Sequence, residues 1–144
     1  MIDLNFAPDK IDSKESDYLY TKESQIPNAG KGLFTSISIY KNEVIALFKG
    51  EVLADKVAAA RAKNGQDGYF INMLDGTIMD SMNVKCFAKY ANDTEGMGKT
   101  KLKNNSKITL DEDDNVCVVA IRDIKVGEEI FCSYGKKYWK KHKS

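Results

Sequence analysis

Short apolar runs separated by turn residues are the feature that most restricts how this chain can fold. The runs at 18–24, 32–37 and 43–53 alternate or are rich in β-branched residues, and Gly, Asn or Pro bounds each of them. Runs of this kind are typical of β-strands. One segment, 54–65, has the alanines, charged side chains and final Asn-Gly of an α-helix.

The second half of the chain continues the same pattern. Val84, Phe87, Ala88 and Ala91 are spaced three and four residues apart, which predicts a short helix over 83–91. Further strands are predicted at 68–74, 76–80, 106–112, 115–124 and 128–134. The first two of these flank an Asp-Gly pair and are expected to form a hairpin.

The order of these elements indicates the fold class. Strands and helices do not alternate, so we predict a mainly β domain with short helices rather than a parallel α/β sheet. The chain has 144 residues, of which 42% are hydrophobic, and this is enough to bury one core. Residues 1–16 are polar and unpatterned, and we expect them to form a flexible N-terminal arm.

The charge balance favours no class of charged partner. There are 22 Lys and Arg against 21 Asp and Glu, a net charge of +1, so nucleic acid is not an expected partner. The lysine-rich segment 136–144 is the exception, but charge runs at termini are commonly only solvated. A nucleic-acid binder is therefore the last-ranked reading.

The cysteines and the hydropathy pattern bear on location. Cys86, Cys117 and Cys132 are odd in number and form no CxxC pair, which argues against disulfides and zinc and favours an intracellular location, cytoplasmic or nuclear. The N-terminus has neither a basic start nor an apolar run, and no stretch reaches the length of a membrane span. Neither a signal peptide nor a membrane partner is expected.

Few residues are available for hydrolytic or metal chemistry. His142 is the only histidine and lies near the end of the sequence, so a histidine-based triad or metal cluster is not expected. The acidic run 111–114 is interpreted as a solvated turn, and no metal site is predicted.

Two other places could carry a ligand. Gly30 and Gly32 flank Lys31, where the backbone could approach a bound molecule closely, although a simple turn is the more common meaning of such a pair. Tyr134 ends an apolar strand just before Gly135, and its hydroxyl could emerge at the mouth of a pocket or belong to an ordinary half-buried tyrosine.

Taken together and in order, four segments resemble the motifs of the SET-domain family, protein lysine methyltransferases that use S-adenosylmethionine. The segments are GKGLF, FKGEV, GTIMDSMNVKCFAKYAND and GEEIFCSYG. They resemble the family's GxG, YxG, RFINHS and ELTYDYG segments, and the resemblance covers about residues 26–139.

This resemblance implies a SET-domain fold over residues 17–135, made of small curved β-sheets with a C-terminal pseudoknot. The basic, aromatic tail 136–144 would complete the site. Cofactor and substrate lysine would enter from opposite faces and meet in a narrow aromatic channel.

The resemblance also implies roles for individual residues. Tyr134 would be the catalytic hydroxyl at the point of methyl transfer. The cofactor S-adenosylmethionine would be bound by Lys31, Gly32, Leu33, Tyr69, Tyr90, Asn92, Asp93, Tyr134 and Trp139. The substrate channel would be lined by Phe48, Tyr69, Phe131 and Tyr138.

The chain departs from the family pattern at several positions. Phe48 replaces the Tyr of YxG, Asp93 replaces the His after the motif asparagine, and Thr94 replaces the Ser. The Cys-x-Pro-Asn continuation is missing. The nearest asparagines are Asn104 and Asn105, and Lys107 and Ile108 rather than a tyrosine follow them.

The leading hypothesis is a protein-lysine N-methyltransferase that acts on a lysine of a protein substrate, a histone or another protein. The alternative is a non-catalytic SET-like binding module that keeps the cofactor or peptide pocket without turnover. A homodimer could complete the site in either case.

Overall fold

The computed structural model describes residues 8–73, 76–97 and 101–133. Within these ranges the chain forms eleven short strands, two α-helices and two 3₁₀ helices. The strands are β1 Asp9–Lys10, β2 Leu19–Glu23, β3 Lys31–Thr35, β4 Glu43–Leu47, β5 Glu51–Leu53, β6 Phe70–Asn72, β7 Ile78–Asp80, β8 Ser106–Leu110, β9 Val116–Ala120, β10 Glu129–Ile130 and β11 Cys132–Ser133. The helices are α1 Glu15–Tyr18 and α2 Asp55–Lys63, and the 3₁₀ helices are Ala88–Tyr90 and Thr94–Met97.

The described strands form three small sheets. Their orders are β1-β4-β9-β8-β11, β10-β3-β2 and β5-β7-β6. Neighbouring strands are antiparallel except for the pairs β1–β4 and β11–β8, which are parallel. The prediction of a mainly β fold with short helices is therefore confirmed.

The local patterns located most of these elements. The helix α2 lies inside the predicted segment 54–65, and β6 and β7 pair antiparallel as the predicted hairpin requires. The turn residue Asp75 of that hairpin lies outside the described residues. The predicted strands 106–112 and 115–124 contain β8 and β9, which also pair antiparallel.

The segment 83–91 is less helical than its spacing predicts. Only Ala88–Tyr90 form a helix, a single turn of 3₁₀ type. Ala88 and Ala91 are both fully buried, and their spacing of three matches the three residues per turn of a 3₁₀ helix. A single tight turn is therefore enough to place both alanines in the core.

The predicted strand 128–134 is divided between two sheets, which corrects the expectation of one continuous strand. β10 pairs antiparallel with β3, whereas β11 pairs parallel with β8. Between them, Phe131 O accepts hydrogen bonds from the backbone N of Asn105 and Ser106, both at 3.0 Å.

On its other side the same segment meets Asn92, whose backbone O accepts a hydrogen bond from Cys132 N at 2.8 Å. The last strands thus pass between residue 92 and residues 105–106, which flank one intervening loop. These contacts on both sides of the segment agree with the pseudoknot that the SET-domain resemblance implies, and the threading itself stays a prediction.

The predicted N-terminal arm is only partly separate from the body. Residues 1–7 lie outside the described residues, but β1 pairs with β4 and Lys10 forms ion pairs with Glu112 and Asp113. The Tyr18 side chain is buried and its hydroxyl donates to Ile45 O at 2.7 Å. A two-residue strand has no periodicity of its own, so pattern alone does not detect this attachment.

One main hydrophobic core joins the three sheets. It contains Leu33 and Ile130 from one sheet, Ile45 and Val118 from the second and Met79 from the third. On the opposite face of β9, Cys117 and Val119 pack with Val44 in a smaller cluster. None of the helices in the described ranges is both long and apolar enough to cross a lipid bilayer.

Gly50 directly precedes β5 and lies against Asp80, the last residue of β7. A Cβ atom on Gly50 would lie 2.5 Å from Asp80 O and 2.7 Å from Asp80 C, so only glycine fits this close approach of two backbones. Asp80 itself is fully buried, and its carboxylate accepts a 2.7 Å hydrogen bond from Arg61 of α2. The glycine of the FKGEV segment therefore serves packing.

We expect Gly50→Ala to lower the free energy of unfolding by about 1–3 kcal/mol, because the added methyl group collides with backbone atoms that cannot yield cheaply. The matched control is Gly68→Ala, where a Cβ would meet no atom within 4 Å. Urea unfolding of both variants checks this expectation. Equal stability of the two variants would contradict the packing role of Gly50.

Candidate functional site

The edge of β3 is left open at the point where β10 ends. β10 pairs with β3 as far as Ile130, which lies opposite Leu33. Beyond this point the side-chain Nδ2 of Asn92 donates a 3.0 Å hydrogen bond to Lys31 O, while Asn92 O accepts from Cys132 N. Asn92 therefore lies as a wedge between β3 and the last strand.

The hydrogen-bond pattern of β2 and β3 explains why Lys31 faces this gap. In an antiparallel pair, successive residues direct their N–H and C=O groups to opposite sides of the strand. Ser24 N donates to Gly30 O, so the even-numbered residues of β3 bond to β2. Both the N–H and the C=O of Lys31 consequently lie on the edge that faces Asn92.

Asp93 follows Asn92 but its side chain has a structural task. Asp93 is 4% exposed, and its Oδ1 accepts hydrogen bonds from Glu95 N at 2.8 Å and Asn104 Nδ2 at 2.9 Å. Asn104 Oδ1 in turn accepts from Thr94 N at 3.0 Å and Thr94 Oγ1 at 2.9 Å. The two ends of the intervening loop are thus tied together directly beside Asn92.

Asn105 fixes the segment that leads toward Tyr134. Its side chain is fully buried, with Nδ2 donating to Glu129 O at 2.9 Å and Oδ1 accepting from Phe131 N at 3.0 Å. This bidentate amide pairs backbone groups on the side of β10 that faces away from β3. Asn105 therefore sets the path of the chain between the two sheets.

Two aromatic residues that are predicted to bind the cofactor meet at Lys89. The Lys89 ammonium lies 5.8 Å from the ring centroid of Tyr69 and 5.4 Å from that of Tyr90, within the range of cation–π attraction. It also donates to the carbonyl oxygens of residues 81, 82 and 84 at 2.9–3.2 Å. Lys89 therefore holds the Tyr69 ring and the backbone of residues 81–84 against the 88–90 turn.

The remaining predicted site residues are mostly buried. The Leu33 side chain is fully buried in the main core, so any contact with a cofactor would be through its backbone. Phe48 is 8% exposed and belongs to the same core. Phe131 is 4% exposed and forms a parallel bridge with Asn92, which places it next to the gap.

Three predicted residues, Tyr134, Tyr138 and Trp139, lie outside the described residues. Their roles stay predictions. Tyr134 directly follows Ser133, whose position is set by the β11–β8 pairing and by a 3.2 Å hydrogen bond from its Oγ to Glu95 Oε1.

The thiols near the site are not suited to nucleophilic chemistry. Cys132 is fully buried, and burial raises the pKa of its thiol well above the ordinary value. Burial likewise raises the pKa of the Cys117 thiol to about 11. Neither group is a thiolate near neutral pH, which excludes these two cysteines as activated nucleophiles.

A hollow of about 200 Å³ lies elsewhere on the surface. Its lining includes Lys10, Glu15, Tyr18, Leu47 and Asp111, and none of the predicted site residues. Among the described residues no group of three or more His, Cys, Asp or Glu side chains is placed to hold a metal ion.

The sequence carries little signal for the polar residues that build the site. For Asn104 and Asn105 the available signal is that two adjacent asparagines follow the missing motif. Glu129, which is 1% exposed, looks like any other charge in a Gly-Glu-Glu turn, and nothing in the sequence distinguishes it.

Comparison with protein families gives one match. The family model described as SET domain matches residues 30–135, which is most of the chain. The chain therefore belongs to the SET-domain family. A search of curated protein sequences found no match.

We expect Asn105→Ala to lower the free energy of unfolding by about 3 kcal/mol, because it leaves the buried Glu129 O and Phe131 N without partners. The neighbouring Asn104→Ala should cost only about 1 kcal/mol, because Asn104 is half-buried and water can replace its bonds. Thermal or denaturant unfolding of both variants measures the difference. If Asn105→Ala lowers the free energy of unfolding no more than Asn104→Ala does, Asn105 does not fix the path of the chain between the two sheets.

Proposed function

We propose that this protein is a protein-lysine N-methyltransferase that transfers a methyl group from S-adenosylmethionine to a lysine side chain of a protein substrate. The observation that supports it most is the meeting of Lys31 and Asn92 at the open edge of β3. These residues belong to the two segments that the family resemblance assigns to cofactor binding, and they are separated by 61 positions in the sequence.

The polar groups at the gap fit the amino-acid end of S-adenosylmethionine. That end carries an ammonium group and a carboxylate, which need acceptors and donors respectively. Lys31 O and Asn92 Oδ1 are acceptors, and within the described residues nothing donates to Asn92 Oδ1. The Lys31 N–H on the same edge is a donor.

In this proposal Lys31, Asn92 and the Asp93 backbone hold the amino-acid end, and Tyr69 and Tyr90 are walls for the remainder. When bound, S-adenosylmethionine supplies a methyl group on a positively charged sulfur. The main task of the protein is then to hold the lysine nitrogen in line with that methyl group, which is a matter of positioning.

The lysine amine must be neutral to react. Its ordinary pKa is near 10.4, so deprotonation at pH 7.5 costs about 4 kcal/mol. Burial in an apolar channel and a neighbouring positive charge both lower the pKa of an amine. The Tyr134 hydroxyl orients the amine nitrogen by a hydrogen bond in this proposal.

A specific observation bears on the alternative, a SET-like module without turnover. Asp93 replaces the motif histidine, and its side chain is occupied by Glu95 and Asn104. The Asp93 side chain therefore has hydrogen-bond partners of its own, and the contact between Asn92 and Lys31 is present beside it. Binding of the cofactor without transfer to any protein would favour the module over the enzyme.

We expect the protein to transfer radiolabelled methyl groups from S-adenosylmethionine to lysines of a histone mixture or of whole-cell protein. Tyr134→Phe should reduce the rate about 10²–10³-fold, as the loss of one donor at a reacting centre commonly does. Tyr40→Phe is the matched control, because Tyr40 is 60% exposed and belongs to no part of the site. Undiminished transfer by Tyr134→Phe would remove Tyr134 from the mechanism.

We expect Asn92→Ala to weaken binding of S-adenosylhomocysteine about tenfold or more, because it removes one acceptor and releases the Lys31 edge. Asn83→Ala, at an exposed position, should bind as the wild type does. Isothermal titration calorimetry measures both. Equal affinity of Asn92→Ala and wild type would mean that Asn92 has only a structural role between β3 and the last strand.

A further inference from the structure

Glu129 is a buried carboxylate that the proposed mechanism does not use. It is 1% exposed, and its Oε2 accepts a 2.5 Å hydrogen bond from Ser24 Oγ while Oε1 accepts a 2.8 Å bond from Gln25 N. In the described part of the chain no Lys or Arg forms an ion pair with it. A buried carboxyl group needs hydrogen-bond partners, and Ser24 and Gln25 supply them at fixed positions.

The two partners of this carboxylate begin the turn that precedes Lys31. Ser24 N donates to Gly30 O at 2.8 Å, which closes the turn over residues 24–30. Ser24 Oγ also accepts a 3.1 Å bond from Ile26 N, so the hydroxyl links the carboxylate to the interior of the turn. Ile26 is 3% exposed, and the turn is therefore folded onto the body.

The same carboxylate also lies against the end of the turn. A Cβ atom on Gly32 would be 2.2 Å from Glu129 Oε2 and 2.8 Å from Glu129 Cδ. Gly32 therefore lacks a side chain in order to admit Glu129, and the second glycine of GKG is explained by packing. One side chain contacts the turn at residues 24–25 and again at residue 32.

The backbone of Glu129 is tied to the other half of the site. Its carbonyl accepts from Asn105 Nδ2, and Glu129 lies opposite Phe34 in the β10–β3 pair. Asn105 Oδ1 also accepts from Phe131 N, and Phe131 forms a β-bridge with Asn92. The Asn92 side chain donates to Lys31 O. These contacts connect Gly32, next to Lys31, through Glu129 to Asn105 and Phe131. From Phe131 they continue through Asn92 back to Lys31.

We propose that Glu129 is a positioning residue, whose side chain fixes the 24–30 turn and Gly32 and so holds the Lys31 edge at the correct distance from Asn92. Its effect on cofactor binding rests on the function proposed above, whereas its effect on the turn does not. Glu129 acts through Lys31 and needs no contact with the cofactor or with the reacting atoms.

The test compares Glu129→Gln with Glu128→Gln. Glutamine keeps the shape and can still accept from Gln25 N, but its NH₂ group then faces Ser24 Oγ and removes the acceptor of the Ser24 hydroxyl hydrogen. The control carries the same charge change one residue away, where Glu128 contacts Lys125 N and Arg122. Ser24→Ala is a second variant that removes the hydroxyl partner of the same carboxylate, in case Glu129→Gln folds poorly.

In Glu129→Gln we expect amide hydrogen exchange to increase about tenfold over residues 24–32 and to stay unchanged in β8 and β9. The KM for S-adenosylmethionine should rise about tenfold while kcat changes less than threefold. Ser24→Ala should shift both quantities in the same direction by a smaller factor, and Glu128→Gln should shift neither.

Unchanged exchange over residues 24–32 in both Glu129→Gln and Ser24→Ala would overturn the proposal. A uniform increase across the whole chain, with kcat and KM altered only through loss of folded protein, would also overturn it. If wild-type protein binds no S-adenosylmethionine, the proposed function fails, and the exchange measurement still decides whether Glu129 positions the turn.

Discussion

The departure of the last strand from β3 is the constraint on which the site depends. After Ile130 the chain leaves β3 and joins β8, and the position that Cys132 would have taken beside Lys31 is filled by Asn92. A strand that continued along β3 would have paired with Lys31 and closed the edge. One change of pairing, from β3 to β8, therefore explains three features. It leaves the edge of β3 open, makes room for Asn92, and directs the chain toward Tyr134.

Keeping that change of partner in place requires buried polar groups rather than apolar packing. Asn105 satisfies the backbone between the two strands, and Asn104 closes the adjoining loop onto Asp93 and Thr94. Each such group is costly if left unpaired, so a network that is complete specifies one geometry more sharply than a hydrophobic contact of the same area. Asp93, which differs from the family's histidine, is part of this network.

Local patterns predicted the strands, α2 and the β6–β7 hairpin because alternation, helix spacing and turn residues act over a few positions. They did not predict β1 or the divisions of 43–53 and 128–134, because all three depend on partners far along the chain. The nearness of Lys31 and Asn92 followed only from the order of the family motifs. The packing role of Gly32 could not be inferred, because it depends on a carboxylate 97 positions away.

The central claim is that the Lys31–Asn92 gap binds the amino-acid end of S-adenosylmethionine. Titration of ¹⁵N-labelled protein with S-adenosylhomocysteine, followed by two-dimensional NMR, tests it most directly. We expect saturable shifts of the Lys31 and Gly32 amides and of the Asn92 side-chain amide, with little change at Lys10, Glu15 and the rest of the hollow beside β4. An absence of shifts at millimolar ligand, or shifts confined to that hollow, would contradict the claim.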